Sequence, residues 1–177
     1  MKTKNSIKNT ATLSVLSALA TVLLVLGGFF DVLDLACASV AALIINIVCN
    51  EYGHKNALLV FGVSALLSNI LLPFRTCPIL FVAFFGYFPV LRNFLYNKIK
   101  FRRIVYILLL LLYNGVMVIL YQLFKEIFGI ANEPLSIIIG LLVSSNIFYV
   151  CFEMLLGRIM ILYNYYIKRK VNKDKRY

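Results

Sequence analysis

Charged residues are scarce in this sequence, and their scarcity excludes an ordinary soluble fold. Of the 177 residues, 14% are Asp, Glu, Lys or Arg and 62% are hydrophobic, and the mean hydropathy is +0.91. Globular domains carry about 25% charged and about 45–50% apolar residues. An apolar excess of this size needs lipid as part of the solvent. The composition therefore predicts an integral membrane protein.

Residues that bind metals or perform catalysis are also sparse. The sequence has one histidine, His54, and four cysteines that form no C-x-x-C pair and have no histidine at ligand spacing. It contains no H-E-x-x-H, no G-x-S-x-G and no phosphate-binding loop. We therefore predict that the chain is not an enzyme, holds no metal or other cofactor and does not hydrolyse ATP. The lack of an evident inverted repeat argues against a self-contained secondary transporter.

Six hydrophobic stretches occupy most of the chain, separated by short turns rich in Gly, Pro, Asn or charge. At roughly 20 residues for each membrane crossing, the chain has room for them all. The predicted fold is all-α, a single domain over residues 1–177 with six transmembrane helices and a basic tail at 164–177. The predicted spans are 10–28, 35–49, 57–72, 77–95, 104–124 and 135–163. The first stretch is interpreted as an uncleaved anchor because cleavage would leave an odd number of spans.

The basic residues fall almost entirely on one predicted side of these spans. Arg75 and Lys125 lie on the other side, together with acidic residues such as Asp34 and Glu133. Basic loops face the cytoplasm, so we expect a multi-pass protein of the cell membrane with both termini inside. The net charge of +11 is then explained by topology and by the lipid bilayer as a partner, and no nucleic-acid partner is predicted. The 16 basic residues on the predicted inner side are Lys2, Lys4, Lys8, Lys55, Arg92, Lys98, Lys100, Arg102, Arg103, Arg158, Lys168, Arg169, Lys170, Lys173, Lys175 and Arg176.

Polar side chains inside the spans are informative because each one needs a partner in hydrocarbon. One interpretation is that each amide bonds a neighbouring helix and holds the bundle together. Asn46 and Asn50, one helical turn apart, fit it well because they share a face. The other interpretation is a ligand contact, which suits Asn69 and Asn114 because both lie in the predicted outer halves of their helices. The polar residues concerned are Asn46, Asn69, Asn114, Gln122, Asn146 and Glu153.

Two further patterns concern the predicted outer end and the fourth stretch. Cys37 and Cys77 both lie near the outer face, where either a disulfide between them or two small buried thiols is compatible with the sequence.

Pro89 removes a backbone hydrogen bond to Phe85, which predicts a kink about two thirds of the way along the fourth helix.

The first stretch carries two stripes of small residues. Ser14-x-x-x-Ala18 and Ser17-x-x-x-Thr21 each place small side chains one turn apart, where another helix can approach closely. The first stripe corresponds to the A-x-x-x-A motif of the substrate-binding S components of energy-coupling-factor vitamin transporters. The six-helix topology resembles that family over nearly the whole chain. Two further patterns resemble that family and also the uncharacterised small membrane proteins grouped with that family. They are Phe84-Phe85-Gly86-Tyr87-Phe88-Pro89 followed by Arg92, and Asn146-x-Phe148 followed by Glu153.

This resemblance implies a function and a set of site residues. The chain would bind a small water-soluble metabolite from outside and deliver it inward, within a complex with a transmembrane coupling subunit that ATPase subunits drive. Ser14 and Ala18 would then dock onto the coupling subunit. The family's outer substrate site would recruit Arg75, Thr76, Asn132 and Glu133, beside Asn69 and Asn114. The alternative is a multi-span scaffold that interacts with other membrane proteins and transports nothing.

Overall fold

The computed structural model describes residues 2–99, 101–128 and 135–174, in which all regular structure is helical. A 3₁₀ turn at Asp31–Leu33 precedes the second helix, and a π-helical turn at Phe81–Phe85 interrupts the fourth span. The α-helices are α1 (Lys2–Phe29), α2 (Asp34–Tyr52), α3 (His54–Leu71), α4 (Thr76–Leu80), α5 (Phe88–Lys98), α6 (Arg102–Phe128) and α7 (Leu135–Asp174).

Six segments of the described chain are helical, long enough and apolar enough to cross a membrane. The prediction of an all-helical fold with six such segments is therefore confirmed. Many large apolar side chains on these helices are exposed, Ile70 to 73% and Leu111 to 71%, as lipid-facing residues are. The six segments are Asn9–Phe29, Asp34–Tyr52, His54–Leu71, Thr76–Lys98, Arg102–Gln122 and Leu142–Tyr163.

The chain forms two compact units, residues 1–120 and 121–177, whose boundary falls within α6. In the first unit α2 is the central helix and packs against α1, α3, α4 and α5. Its buried face contains Ala41, Ala42, Ile45 and Val48, and the two alanines let neighbouring backbones approach closely. Gly53 alone separates α2 from α3, and its φ of 85° is one that glycine adopts without strain.

The fourth span is not one continuous helix. The N–H of Gly86 donates to the carbonyl of Phe81, five residues earlier, at 2.7 Å, which closes the π-helical turn. The sequence predicts a kink at Pro89, whereas the structure interrupts the span at residues 81–87, before Pro89. Pro89 lies in the first turn of α5, where its missing N–H costs no hydrogen bond.

Aromatic packing holds this interrupted span in the first unit. Phe84 lies 4.6 Å from Phe88 and 4.7 Å from Tyr113 of α6 between ring centroids. All three rings are almost fully buried. Val105, Leu109 and Tyr113 are buried at intervals of four residues, so one face of α6 is covered along two turns.

In the second unit α7 is 40 residues long. At 1.5 Å per residue it measures about 60 Å, about twice the thickness of a bilayer's hydrocarbon core. Its apolar segment ends at Tyr163, and basic residues follow in the sequence. Phe148 and Phe152 stack with their planes at 8°, and Tyr149, Phe152 and Glu153 are buried.

Candidate functional site

A groove of about 380 Å³ opens on the first unit between α3 and the first half of the fourth span. Most of its lining is apolar, with one asparagine near the end of α3. The volume falls at the lower end of the range of about 300–1,000 Å³ that is usual for small-molecule sites. The lining residues are Ala65, Leu66, Asn69, Ile79, Val82 and Ala83.

The groove exists because short side chains and an irregular helix face each other. Ala65 on α3 and Ala83 in the π-helical turn leave room that larger side chains would fill. A π-helical turn widens the backbone locally, and such turns are frequent at functional sites. Phe61 of α3 packs beside Gly86, and its ring centroid lies 5.7 Å from that of Phe81. This contact sets how closely α3 approaches the fourth span.

Asn69 is the polar side chain of this lining. It is half-buried, and its Nδ2 donates to the carbonyl of Ala65 at 2.8 Å. That bond uses one of its two N–H groups and leaves the amide oxygen available, so the side chain can both donate to and accept from a ligand. The groove therefore offers one uncharged hydrogen-bonding group beside apolar walls.

The other residues predicted to bind substrate lie elsewhere. Arg75 and Thr76 are exposed at the start of α4 and do not line the groove. Asn114 is half-buried on α6, where its Nδ2 donates to the carbonyl of Leu110 at 2.9 Å. Asn132 and Glu133 lie outside the described residues. Of the four candidates that the structure describes, Asn69 is the one that lines the groove.

The turn before α4 has an unusual backbone. Phe74, next to Arg75, has a φ of 63° and is 91% exposed. A bulky residue at positive φ costs of the order of 1–3 kcal/mol. The turn before α4 thus combines a strained backbone with an exposed aromatic side chain.

The two small-residue stripes of α1 have different surroundings. Ser17 and Thr21 are buried, and the backbone carbonyl of Ser17 accepts a hydrogen bond from Ser64 of α3 at 3.3 Å. Ser14 and Ala18 are exposed, and the hydroxyl of Ser14 donates to its own helix at Thr10. The buried stripe packs within the protein, and the exposed one keeps its face open.

A second polar region joins α2 to α5, and sequence reasoning missed one of its members. Asn93 donates from Nδ2 to Oδ1 of Asn46 at 3.0 Å, and Asn50 donates to the carbonyl of Asn46 at 2.7 Å. Asn46 is 1% exposed. We call Asn46, Asn50 and Asn93 the asparagine cluster. Asn93 adjoins Arg92 near a predicted membrane boundary and is not among the polar residues predicted to lie inside the spans. The available signal was that buried Asn46 needs a partner on another helix.

The groove presents apolar walls and one amide. Among the residues that the structure describes, no group of three or more His, Cys, Asp or Glu is placed to hold a metal ion. No protein-family model, curated protein or solved structure matches this chain.

Proposed function

We propose that this chain is the substrate-binding membrane component of a partner-driven importer, and that a small metabolite binds in the groove beside Asn69. The observation that carries this proposal is the placement of Asn69. It lies in an otherwise apolar groove of about 380 Å³ and retains unused hydrogen-bonding capacity. An amide at the mouth of an apolar cavity can orient a ligand whose body the walls bury.

The lining defines the chemistry of the ligand. Five of the six lining residues are apolar and none is charged, so the part that enters the groove is uncharged and largely apolar. A carbonyl, amide or hydroxyl on its edge would pair with Asn69. The metabolite remains water-soluble through groups that stay outside the groove.

The direction of uptake follows from the predicted orientation. Under the positive-inside rule the α2–α3 turn faces the cytoplasm and the α3–α4 turn faces outward. Asn69 is two residues from the end of α3, so the groove would receive a ligand from outside.

The energy source and the docking face complete the proposal. The sequence has no phosphate-binding loop, so ATPase partners would supply the energy through a transmembrane coupling subunit. The exposed Ser14–Ala18 stripe of α1 supports docking by a partner helix, since the neighbouring Ser17–Thr21 stripe is already buried. Small side chains permit such close helix contacts in lipid.

The test is to identify what the purified protein carries. The protein is extracted in mild detergent and denatured, and the released small molecules are analysed by mass spectrometry. We expect a metabolite in near-stoichiometric amount from the unaltered protein. Asn69→Ala removes the polar contact and Ala83→Phe fills the groove, so both variants should carry much less of it. Asn97→Ala, an exposed asparagine of α5, is the matched control and should carry as much as the unaltered protein.

Three outcomes would contradict the proposal. Release of phospholipid alone means that membrane lipid fills the groove. Equal metabolite content in all variants places the ligand elsewhere. An empty preparation that instead retains other membrane proteins favours the multi-span scaffold.

A further inference from the structure

Three helices meet closely at Gly27 of α1, and each of the other two contributes a cysteine. Cys37 belongs to the first turn of α2, and Cys77 is the second residue of α4. A methyl group added at Gly27 would lie 2.6 Å from the sulfur of Cys77 and 2.7 Å from Cβ of Cys37. Glycine is therefore required at this position to make room for the two cysteines.

The same geometry limits the distance between the two sulfurs. The methyl position at Gly27 lies 2.6 Å from Sγ of Cys77 and 3.4 Å from Sγ of Cys37, so the sulfurs are at most 6.0 Å apart. A disulfide needs the sulfurs about 2.05 Å apart, and rotation about each Cα–Cβ bond moves a sulfur by up to a few ångströms. Both cysteines are free thiols in this structure.

The two thiols differ in access. Cys77 is fully buried, and its Sγ donates to the backbone carbonyl of Asp34 at 3.5 Å. Asp34 lies one turn before Cys37 on α2. Cys37 is half-buried and can be reached by a reagent at the end of the helix. Cys49 cannot substitute for Cys37. Cys49 is 12 residues beyond Cys37 on the same helix, which is about 18 Å.

We propose that Cys37 and Cys77 form a disulfide-bonding site that cross-links α2 to α4. The Cys37 thiolate attacks an external disulfide, such as oxidised glutathione, and releases one glutathione thiolate. The Cys77 thiol then loses its proton and displaces the second glutathione from the mixed disulfide. Two thiols are oxidised, one glutathione disulfide is reduced to two thiols, and the new bond joins Cys37 to Cys77.

The cross-link would fix one wall of the groove. Ile79 follows Cys77 by two residues within α4 and lines the groove. Bonding Cys77 to α2 therefore restrains the segment that begins this wall. The proposal does not depend on the ligand, because it rests on the position of the sulfurs around Gly27.

The test counts free thiols in purified full-length protein. The sample is incubated with excess oxidised glutathione, quenched with acid, denatured in SDS with N-ethylmaleimide and analysed by intact mass spectrometry. Denaturation exposes all four cysteines, so burial does not affect the count. We expect a monomer with one intramolecular bond, in which Cys49 and Cys151 each carry an adduct or one glutathione, and four adducts when a reductant precedes the alkylation. Cys37→Ser should instead leave no intramolecular bond, and Cys77 should carry an adduct or one glutathione.

Other outcomes overturn the proposal. Four adducts after prolonged oxidation mean that the sulfurs do not approach each other. Mixed disulfides with glutathione on both Cys37 and Cys77 mean that the second step does not occur. A bond that survives Cys37→Ser joins a different pair. The variant Cys49→Ser/Cys151→Ser is the matched control and should still form the bond, with no adduct before reduction and two after it.

Discussion

The groove and the asparagine cluster each centre on a buried or half-buried asparagine, yet their amides are used differently. In the cluster, Asn46 accepts hydrogen bonds from Asn93 on another helix and from Asn50 on its own. In the groove, Asn69 bonds only the carbonyl of Ala65 on its own helix. Asn46 is 1% exposed, whereas Asn69 is half-buried at an open surface.

This difference separates two uses of polarity inside a membrane bundle. An amide oxygen that accepts from another helix contributes to the fold, and removal of its donor costs a buried hydrogen bond between helices. The Nδ2 of Asn46 itself is buried without a hydrogen-bond partner in the described part of the chain. An amide that bonds its own backbone and faces a cavity contributes little to the fold and keeps capacity for a ligand. The fourth span joins the two regions, since Val82 and Ala83 line the groove and Asn93 lies beyond the interruption at residues 81–87.

The largest expected effect is at Gly86, within the interruption that joins the two regions. In Gly86→Ala the added methyl overlaps the Phe61 ring and lies 3.0 Å from the carbonyl of Phe81. Overpacking of this kind costs about 1–3 kcal/mol, so the midpoint of thermal unfolding in detergent should fall clearly. Gly62→Ala is the matched control, because a methyl at Gly62 meets nothing within 4 Å. An equal response of the two variants would show that Phe61 yields without cost.

Asn93→Ala should have the next largest effect, through the asparagine cluster. It deletes the hydrogen bond that Asn93 donates to Oδ1 of Asn46. Because Asn46 is 1% exposed, its buried amide oxygen then has one donor fewer. The expected loss of stability is about 1–3 kcal/mol, measured by denaturation in detergent. Asn97→Ala, one turn further on α5 and exposed, should change stability by less than about 0.5 kcal/mol. Equal losses in both variants would contradict a structural role for the cluster.

Asn69→Ala should destabilise the protein less than Asn93→Ala does. The bond that it removes lies within one helix, and we expect a loss of about 0.5–1 kcal/mol. The two asparagines share no partner, so the double variant should lose the sum of the two single losses. The same denaturation measurement checks this, and a clear departure from additivity would show that the groove and the cluster are coupled.

Ala18→Leu should have the smallest effect on the isolated protein. Ala18 is exposed, so the larger side chain meets no neighbour, and stability should change by no more than about 0.5 kcal/mol. Ser17→Leu, on the buried stripe, is the contrast and should lose about 1–3 kcal/mol by overpacking. If the proposed docking holds, Ala18→Leu should also reduce recovery of partner membrane proteins from mild detergent. Unchanged recovery would place the docking face elsewhere.

The helical spans could be predicted because their signal is local. Length, hydropathy and turn residues specify each apolar helix without knowledge of its neighbours. Gly53 is of this kind, since a glycine between two apolar stretches suits a turn at positive φ, and its φ is 85°.

The groove and the cluster could not be predicted in full because both arise from contacts between distant segments. The spacing of the groove walls depends on Phe61 packing beside Gly86, and the π-helical turn at Phe81–Phe85 has no local signature comparable to that of Pro89. Asn69 could be named as a candidate ligand contact from its predicted position in the outer half of a helix. Asn46 could be named as a candidate helix–helix contact from its position inside a hydrophobic stretch. Their different roles depend on which helix each one faces, which the sequence does not specify.

The π-helical turn lets the fourth span hold one more residue than a regular α-helix would hold in the same rotation. Its hydrogen bond from Gly86 to Phe81 spans five residues, whereas an α-helical bond spans four. Deletion of one residue between Phe81 and Phe85 would therefore allow a regular helix and leave Asn93 close to the side of the span that meets Asn46. The deletion would instead remove the widened backbone beside the groove, so it would alter the groove far more than the asparagine cluster.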